Sequence, residues 1–218
     1  TVRRALALDA NLAEAHYLLA LCLRDQKDTT GASRALATVV RLNPAFTPAR
    51  EELADLDLAT GRTRQGLEQL EALAALDPTD PRRATDVARA SSRAGRFEFG
   101  MTTLARAAER FPDDPDVALA MAEVSLDSAQ AHYQADTVRK AIKTLAPLAE
   151  APTPSARVLT QYGRALYVAG QFADARTALQ RATATLPVDP VAFSYLAETA
   201  DRLHDTVTAR DALVKYVS

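Results

Sequence analysis

Apolar residues along the chain recur in a fixed order of sizes. A large residue is followed at once by a small one at Leu19-Ala20, Leu53-Ala54, Val87-Ala88, Met121-Ala122, Tyr162-Gly163 and Leu196-Ala197. The apolar residues around these pairs fall at helical spacing, as in Leu159, Tyr162 and Leu166. Gly61, Gly95 and Gly170 follow three of the pairs by about two turns, where a left-handed cap would end the helix. A second pattern comes next: a small residue, a large aliphatic four positions on, and a proline eight beyond that. Ala32, Leu36 and Pro44 fit it, as do Gly66, Leu70 and Pro78, then Gly100, Leu104 and Pro112, then Ala175, Leu179 and Pro187. Proline cannot continue a helix, so it closes the second segment. The pattern predicts two helices joined by a turn, with small residues where they cross closely and large aliphatics between.

The unit repeats every 34 residues, from Ala32 to Gly66 to Gly100 and again from Ala175 to Ala209, which Leu213 follows. Between Gly100 and Ala175 the interval is 75, two periods plus seven residues, with Ala141 and Leu145 as the intervening member. Units are expected at about 13–46, 47–80, 81–114, 115–155, 156–189 and 190–218, after a half unit at 1–12 in which Ala5 takes the slot of Ala107 and Ala182. The fourth unit carries the seven extra residues, close to two helical turns. One added turn in each helix keeps both apolar faces in phase. Val138, Ala141, Ile142, Leu145 and Leu148 favour extension of the second helix, with a longer loop around His132-Tyr133 as the alternative. Pro147 is expected to bend that second helix.

Period, helix pair, small residues at two places and terminal proline together resemble the tetratricopeptide repeat family. The resemblance covers almost all of the chain. The family's aromatic near the unit start is mostly replaced, by His16, Arg50, Ala84, Ala118 and Leu159, with Phe193 the one aromatic. The resemblance implies an all-α fold, a helical-hairpin repeat solenoid wound as a right-handed superhelix. Because one unit cannot bury its apolar stripe alone, a single continuous array over 1–218 is expected, not two domains. A large side chain at a close crossing, as in Ala88→Leu, would cost about 1–3 kcal/mol. The array begins inside a unit and ends without a further helix, the pattern of a piece of a longer protein.

Composition narrows the chemistry. The chain is 48% apolar and 25% charged with a net charge of −2, and the near-neutral balance argues against non-specific nucleic-acid binding. The apolar run "YLLALCL" at 17–23 is too short to span a bilayer, and no signal-peptide pattern opens the sequence, so the compartment stays open between cytoplasm and periplasm. Cys22 falls among apolar residues and is expected to be packed. "GRTRQG" (61–66) and "GRFEFG" (95–100) have the two-glycine spacing of a phosphate loop but lack its Lys, and the repeat register accounts for both glycines. His16, His132 and His204 lie in three units without a partner at ligand spacing. No cofactor, no metal site and no catalytic residue is expected.

On each first helix, positions two before the large-small pair and two beyond its large member are expected to form an exposed stripe. By the resemblance, this stripe lines a concave groove where a protein or peptide partner binds. The groove residues so assigned are Tyr17, Leu21, Glu51, Asp55, Arg82, Thr85, Arg89, Arg93, Glu123, Arg157, Thr160, Arg164, Tyr167 and Glu198, and Asp116, Leu119 and Asp127 complete the stripe of the fourth unit. One slot read across units gives Leu21, Asp55, Arg89, Glu123, Arg164 and Glu198, whose sign alternates from the second unit on. Two readings follow: a ladder of ion pairs between units, or Arg forks offered to the carboxylates of a bound segment. Leu18 and Leu21 stand where some relatives place amides to clamp an acidic tail, so that mode is not expected. The function implied is a protein–protein interaction scaffold. The alternatives are a structural spacer in a larger bacterial envelope, secretion or polysaccharide-export protein, and a recruiting arm of an enzyme whose catalytic domain lies elsewhere.

Overall fold

The computed structural model describes residues 2–132 and 134–217, with the side chains of residues 3 and 5 left aside. The described residues form thirteen α-helices and no strand. After α1 (Val2–Leu8) they run in pairs: α2 (Ala13–Asp25) with α3 (Thr29–Leu42), α4 (Thr47–Ala59) with α5 (Thr63–Leu76), α6 (Pro81–Arg93) with α7 (Phe97–Arg110), α8 (Pro115–His132) with α9 (Ala135–Ala149), α10 (Ala156–Val168) with α11 (Phe172–Ala184), and α12 (Val191–Arg202) with α13 (Thr206–Val217). The fold is all-α, built of the helical hairpins that the repeat predicts. The slot expected for Ala5 falls on a side chain outside the described ones. Packing divides the chain into two compact units, residues 1–90 and 91–218, with the division inside α6.

Local chemistry sets the helix ends. Gly61, Gly95 and Gly170 have φ of 78°, 73° and 76°, the left-handed geometry of the expected caps. Lys27 and His204 occupy the same slot one period away and take φ of 62° and 58° despite carrying a Cβ. Pro44, Pro78 and Pro112 each stand two residues beyond the end of a second helix.

The small-residue slots are crossings. Ala20, Ala54, Ala88, Ala122 and Ala197 are all buried. A Cβ on Gly66 would lie 2.7 Å from Leu58 Cγ and 3.1 Å from the Ala54 carbonyl oxygen; one on Gly163 would lie 2.5 Å from Leu179 Cγ. Only glycine fits these approaches without movement. The four-residue partners Leu36, Leu104, Leu145 and Leu179 are buried between the helices, whereas Leu70 is half-buried and Leu213 is half-exposed on α13. Residues 1–90 gather a core around Leu36, Val39 and Leu53. Residues 91–218 hold two clusters, one around Leu126, Leu145 and Leu159 and one around Leu166, Leu179 and Leu196.

Two expectations need correction. The seven extra residues are not shared evenly: α8 has 18 residues against 13 in α6, while α9 has 15 against 14 in α7. The rest of the insertion lengthens the segment between α9 and α10. The cause is local. One period after Gly95 stands Ala129, a strong helix former that is buried, so α8 runs on to His132. The alternative of a loop at His132-Tyr133 involves Tyr133, which lies outside the described residues. Pro147 stays within α9, close to its C-terminal end. The second correction is Cys22, which is exposed, because Ala20, Leu19 and Leu23 take the face of α2 that packs on the core.

Candidate functional site

In residues 1–90 the assigned positions fall into two groups. Leu21 of α2 and Asp55 of α4 line a cavity of about 210 Å³ between neighbouring first helices. Arg24 closes it by donating from Nη1 to both carboxylate oxygens of Glu52 at 2.5 Å. Tyr17 is half-buried, with its ring 5.1 Å from that of Phe46. On α4 and α6, Glu51 accepts from Arg83 Nη1 at 2.6 Å. Arg82 is exposed, Thr85 is buried with its hydroxyl donating to the Arg82 carbonyl at 2.8 Å, and Arg89 donates to Thr85 Oγ1 at 3.2 Å.

In residues 91–218 the first helices α8, α10 and α12 lie side by side. That contact corrects the idea of a wholly exposed stripe. Glu123, Leu119 and Thr160 are buried because adjacent first helices cover these positions, and Thr85 is buried in its own unit. A helical wheel of one unit places them opposite the hairpin partner, but it does not include the next first helix. The Thr160 hydroxyl is satisfied within its helix, donating to the Ala156 carbonyl at 2.8 Å.

Charge along this face is paired between units. Arg157 Nε donates to Glu123 Oε1 at 2.6 Å and its Nη2 to Oε2 at 3.1 Å, a two-pronged bond between a half-exposed guanidinium and a buried carboxylate. Arg164 is mostly buried, with its Nη2 donating to Asp127 Oδ1 at 2.7 Å and to Gln130 Oε1. Asp127 accepts in addition from Ser92 Oγ at 2.5 Å. The ion-pair reading therefore accounts for Arg157 and Arg164. Arg164 Nε, however, is buried without a hydrogen-bond partner among the described residues. Arg93 is exposed at the end of α6.

Beside Arg164 lies an aromatic patch that extends over two first helices. The ring of Tyr167 is 6.0 Å from that of Tyr195 and 5.7 Å from that of Phe172, and the Arg164 guanidinium stands 5.9 Å from the Tyr195 ring. Partial burial raises the Tyr167 pKa, and the neighbouring Glu198 carboxylate, which accepts from its hydroxyl, raises it further. Tyr167 is thus a neutral donor through the physiological range. Glu198 itself is exposed.

Sequence reasoning assigned Arg164, Tyr167 and Glu198 to the groove but missed Tyr195, which directly precedes the Leu196-Ala197 pair. It missed Asp57 as well, a buried carboxylate held by Arg62, whose Nη2 also reaches Ser33 Oγ at 3.0 Å. Of the glycines in the two phosphate-loop-like stretches, Gly61 and Gly95 are caps and Gly66 is a close crossing. Among the described residues no cluster of three His, Cys, Asp or Glu side chains has a metal-holding arrangement, and no helix is long and apolar enough to cross a membrane.

Known proteins repeat this architecture. A tetratricopeptide repeat family profile matches residues 23–90 and 57–124. No curated protein matches the sequence. Among solved structures, a tetratricopeptide repeat protein from Parabacteroides merdae superposes with a TM-score of 0.68 at 12% identity, covering 93% of this chain and 78% of its own. A thermophilic TPR protein of Thermus thermophilus gives 0.67 at 18% identity, over 78% of this chain and 90% of its own. YrrB, described as a TPR protein with an unusual peptide-binding site, gives 0.57 at 12% identity, over 89% and 96%. The profile identifies residues 23–124 as tetratricopeptide repeats, and the 34-residue hairpins, their glycine caps and small-residue crossings continue that fold through the other described residues.

Proposed function

We propose that the chain is a protein-interaction scaffold that holds a linear segment of a partner against its first helices. The observation that carries this reading is the Arg164–Tyr167–Tyr195 patch. Tyr and Arg are the residues that dominate binding energy at protein interfaces, because they bury large area at low entropic cost while keeping a polar end. Here two half-buried tyrosines on adjacent helices offer their faces, and Asp127 and Gln130 hold the guanidinium between them in one orientation. A side chain already ordered loses little entropy on binding. Arg157 and Glu198 at the edge are more exposed and set charge preference. The peptide-binding site named for YrrB, a protein of the same fold, supports the same class of ligand.

The test is to select linear peptides against the whole chain from a display library and to measure the enriched ones by calorimetry. Tyr195→Ala and Tyr167→Ala are expected to weaken them at least tenfold, with circular dichroism unchanged. Arg157→Glu is expected to shift their charge preference. A library yielding no binder, or binders indifferent to all three changes, would refute this site.

A further inference from the structure

The fourth hairpin differs from the others at its tip. Five additional residues in α8 carry it about 7.5 Å further at 1.5 Å per residue. A cavity opens on each side of that tip. The one toward α7 has about 570 Å³, and its aromatic groups already have partners: Phe97 meets His132 edge-on at 5.9 Å, and Arg96 stands over Phe99 at 5.0 Å. The one toward the α10–α11 turn has about 820 Å³, within the range of ligand pockets.

The larger cleft has an apolar floor and a cationic rim. Val138 and Ile142 of α9 face Val168 of α10 and Phe172 of α11, and all but Val138 are only partly buried. Arg139 stands on one rim and Arg202 on the other, and no carboxylate lines the cleft among the described residues. Neither guanidinium is locked away. Arg139 pairs with Asp136 on the exposed surface of α9, an interaction of the kind that gives way readily. Arg202 lies 5.9 Å from the Phe172 ring and shares the Tyr167 hydroxyl with Glu198. Gln134 and Gln171 at the mouth carry both donors and acceptors, which suits a main chain.

We infer that this cleft is a second binding site, adjoining the first-helix patch at Tyr167 and Gln130 but centred on α9 and the α10–α11 turn, for a linear peptide that presents a large apolar side chain flanked by carboxylates. The apolar side chain covers the floor, and the carboxylates meet Arg139 and Arg202. The site exists because of the insertion, since the extra residues of α8 and the start of α9 form one of its walls.

The test uses the whole chain and two fluorescein-labelled hexapeptides, Asp-Glu-Leu-Phe-Asp-Glu and Lys-Lys-Leu-Phe-Lys-Lys, followed by anisotropy at low salt. The acidic peptide is expected to bind at least tenfold more tightly than the basic one. Ala135→Trp, which adds bulk at an exposed position lining the cleft, is expected to weaken it at least tenfold, and so is Arg139→Glu with Arg202→Glu. Arg64→Glu, an exposed charge in residues 1–90, is expected to leave affinity unchanged and so exclude a bulk charge effect. If the double reversal disturbs folding by circular dichroism, Ala135→Trp still decides. No binding, equal binding of the two peptides, or indifference to Ala135→Trp overturns the inference. Loss on Arg157→Glu with Ala135→Trp silent would move the peptide to the first-helix face and overturn it as well.

Discussion

Gly163→Ala sets two opposing effects against each other, and the geometry decides between them. Glycine inside a helix costs about 1 kcal/mol relative to alanine, so propensity alone predicts that the change stabilises α10. The new Cβ, however, would lie 2.5 Å from Leu179 Cγ, 2.8 Å from its Cδ2 and 3.4 Å from the Ala175 carbonyl oxygen. Carbon atoms in favourable contact sit about 3.5–4.0 Å apart, so the two helices or the leucine must give by about 1 Å. The leucine cannot swing aside: the crowded atom is its branch point, and the side chain is wholly buried among Leu166, Ala178 and Leu196. Overpacking of this kind lies in the upper part of a range of about 1–3 kcal/mol. The expected net effect is a loss of about 1–2 kcal/mol. Gly66→Ala supplies the comparison, since its new Cβ would meet Leu58, which is only half-buried and has room to turn. It is expected to cost less.

Urea denaturation followed by circular dichroism measures both variants, and hydrogen exchange of the α10 and α11 amides localises the effect. A double-mutant cycle with Leu179→Ala isolates the contact: removing the leucine is expected to relieve the Gly163→Ala penalty by about 1 kcal/mol or more. Repeat proteins need not unfold in one step, so midpoints and local protection are the quantities to compare. A Gly163→Ala protein as stable as the parent, or a cycle without coupling, would refute the claim that small residues are required at these crossings.

Other outcomes follow from the caps, the buried carboxylate and the helix starts. Gly95→Ala places a Cβ with nothing within 4 Å, so its expected loss of about 1 kcal/mol is purely backbone strain, whereas Lys27→Gly relieves strain and is expected to be neutral or slightly stabilising in urea melts. Arg62→Ala removes the partner of Asp57, which is buried, and is expected to cost about 1–3 kcal/mol by the same measurement, with Ser33→Ala costing less. The Asp205 carboxylate accepts from Thr208 Oγ1 at 2.7 Å and from its backbone N–H at 3.1 Å, and these bonds lower its pKa. A depressed carboxylate contributes stability that is full above its unfolded pKa of about 3.9 and is lost as pH falls through the folded value. Exchange of the α13 amides is accordingly expected to accelerate below about pH 4 in the parent, and to vary less with pH in Asp205→Asn.

The parts of the fold written most plainly in the sequence are those whose cause is local. A left-handed cap favours a residue without a Cβ, so Gly61, Gly95 and Gly170 mark helix ends, although Lys27 and His204 take the same geometry with one. A tight crossing admits only a small side chain, so Ala54, Ala88 and Gly163 mark it. The first-helix face is less legible because its burial is decided by a neighbour 34 residues away. Glu123 and Thr160 sit on the face a single wheel leaves open, and the adjacent first helix closes it. The alternating signs marked positions that do pair between units but not their partners, since Glu123 is met by Arg157 and not by the Arg164 of its own slot. They did not tell that Arg164 would bond to Asp127, four residues beyond Glu123 on the same helix.

The insertion shows the same division between local and long-range causes. Seven residues preserve the phase of both helices, so the hydrophobic pattern could not say which helix grew. The answer lay in one position, Ala129, which occupies the slot where Gly95 and Gly170 end their helices. Alanine is a strong helix former and is buried there, where Lys27 and His204 in the same slot are exposed, and α8 continues until its tip passes the neighbouring turn. Regular units give every first helix the same backbone surroundings, so a regular array discriminates between ligands only through side chains. One longer unit breaks that equivalence and adds a cleft of different shape and charge. Trimming α8 by replacing Ala129 with glycine would not restore a regular unit, because the surplus residues would then enter the turn. Deleting the seven residues 128–134 would restore the period, and it is expected to remove the cleft while leaving the Tyr167–Tyr195 ring pair and the Arg164–Asp127 bond in place, at the loss of the Gln130 contact to Arg164.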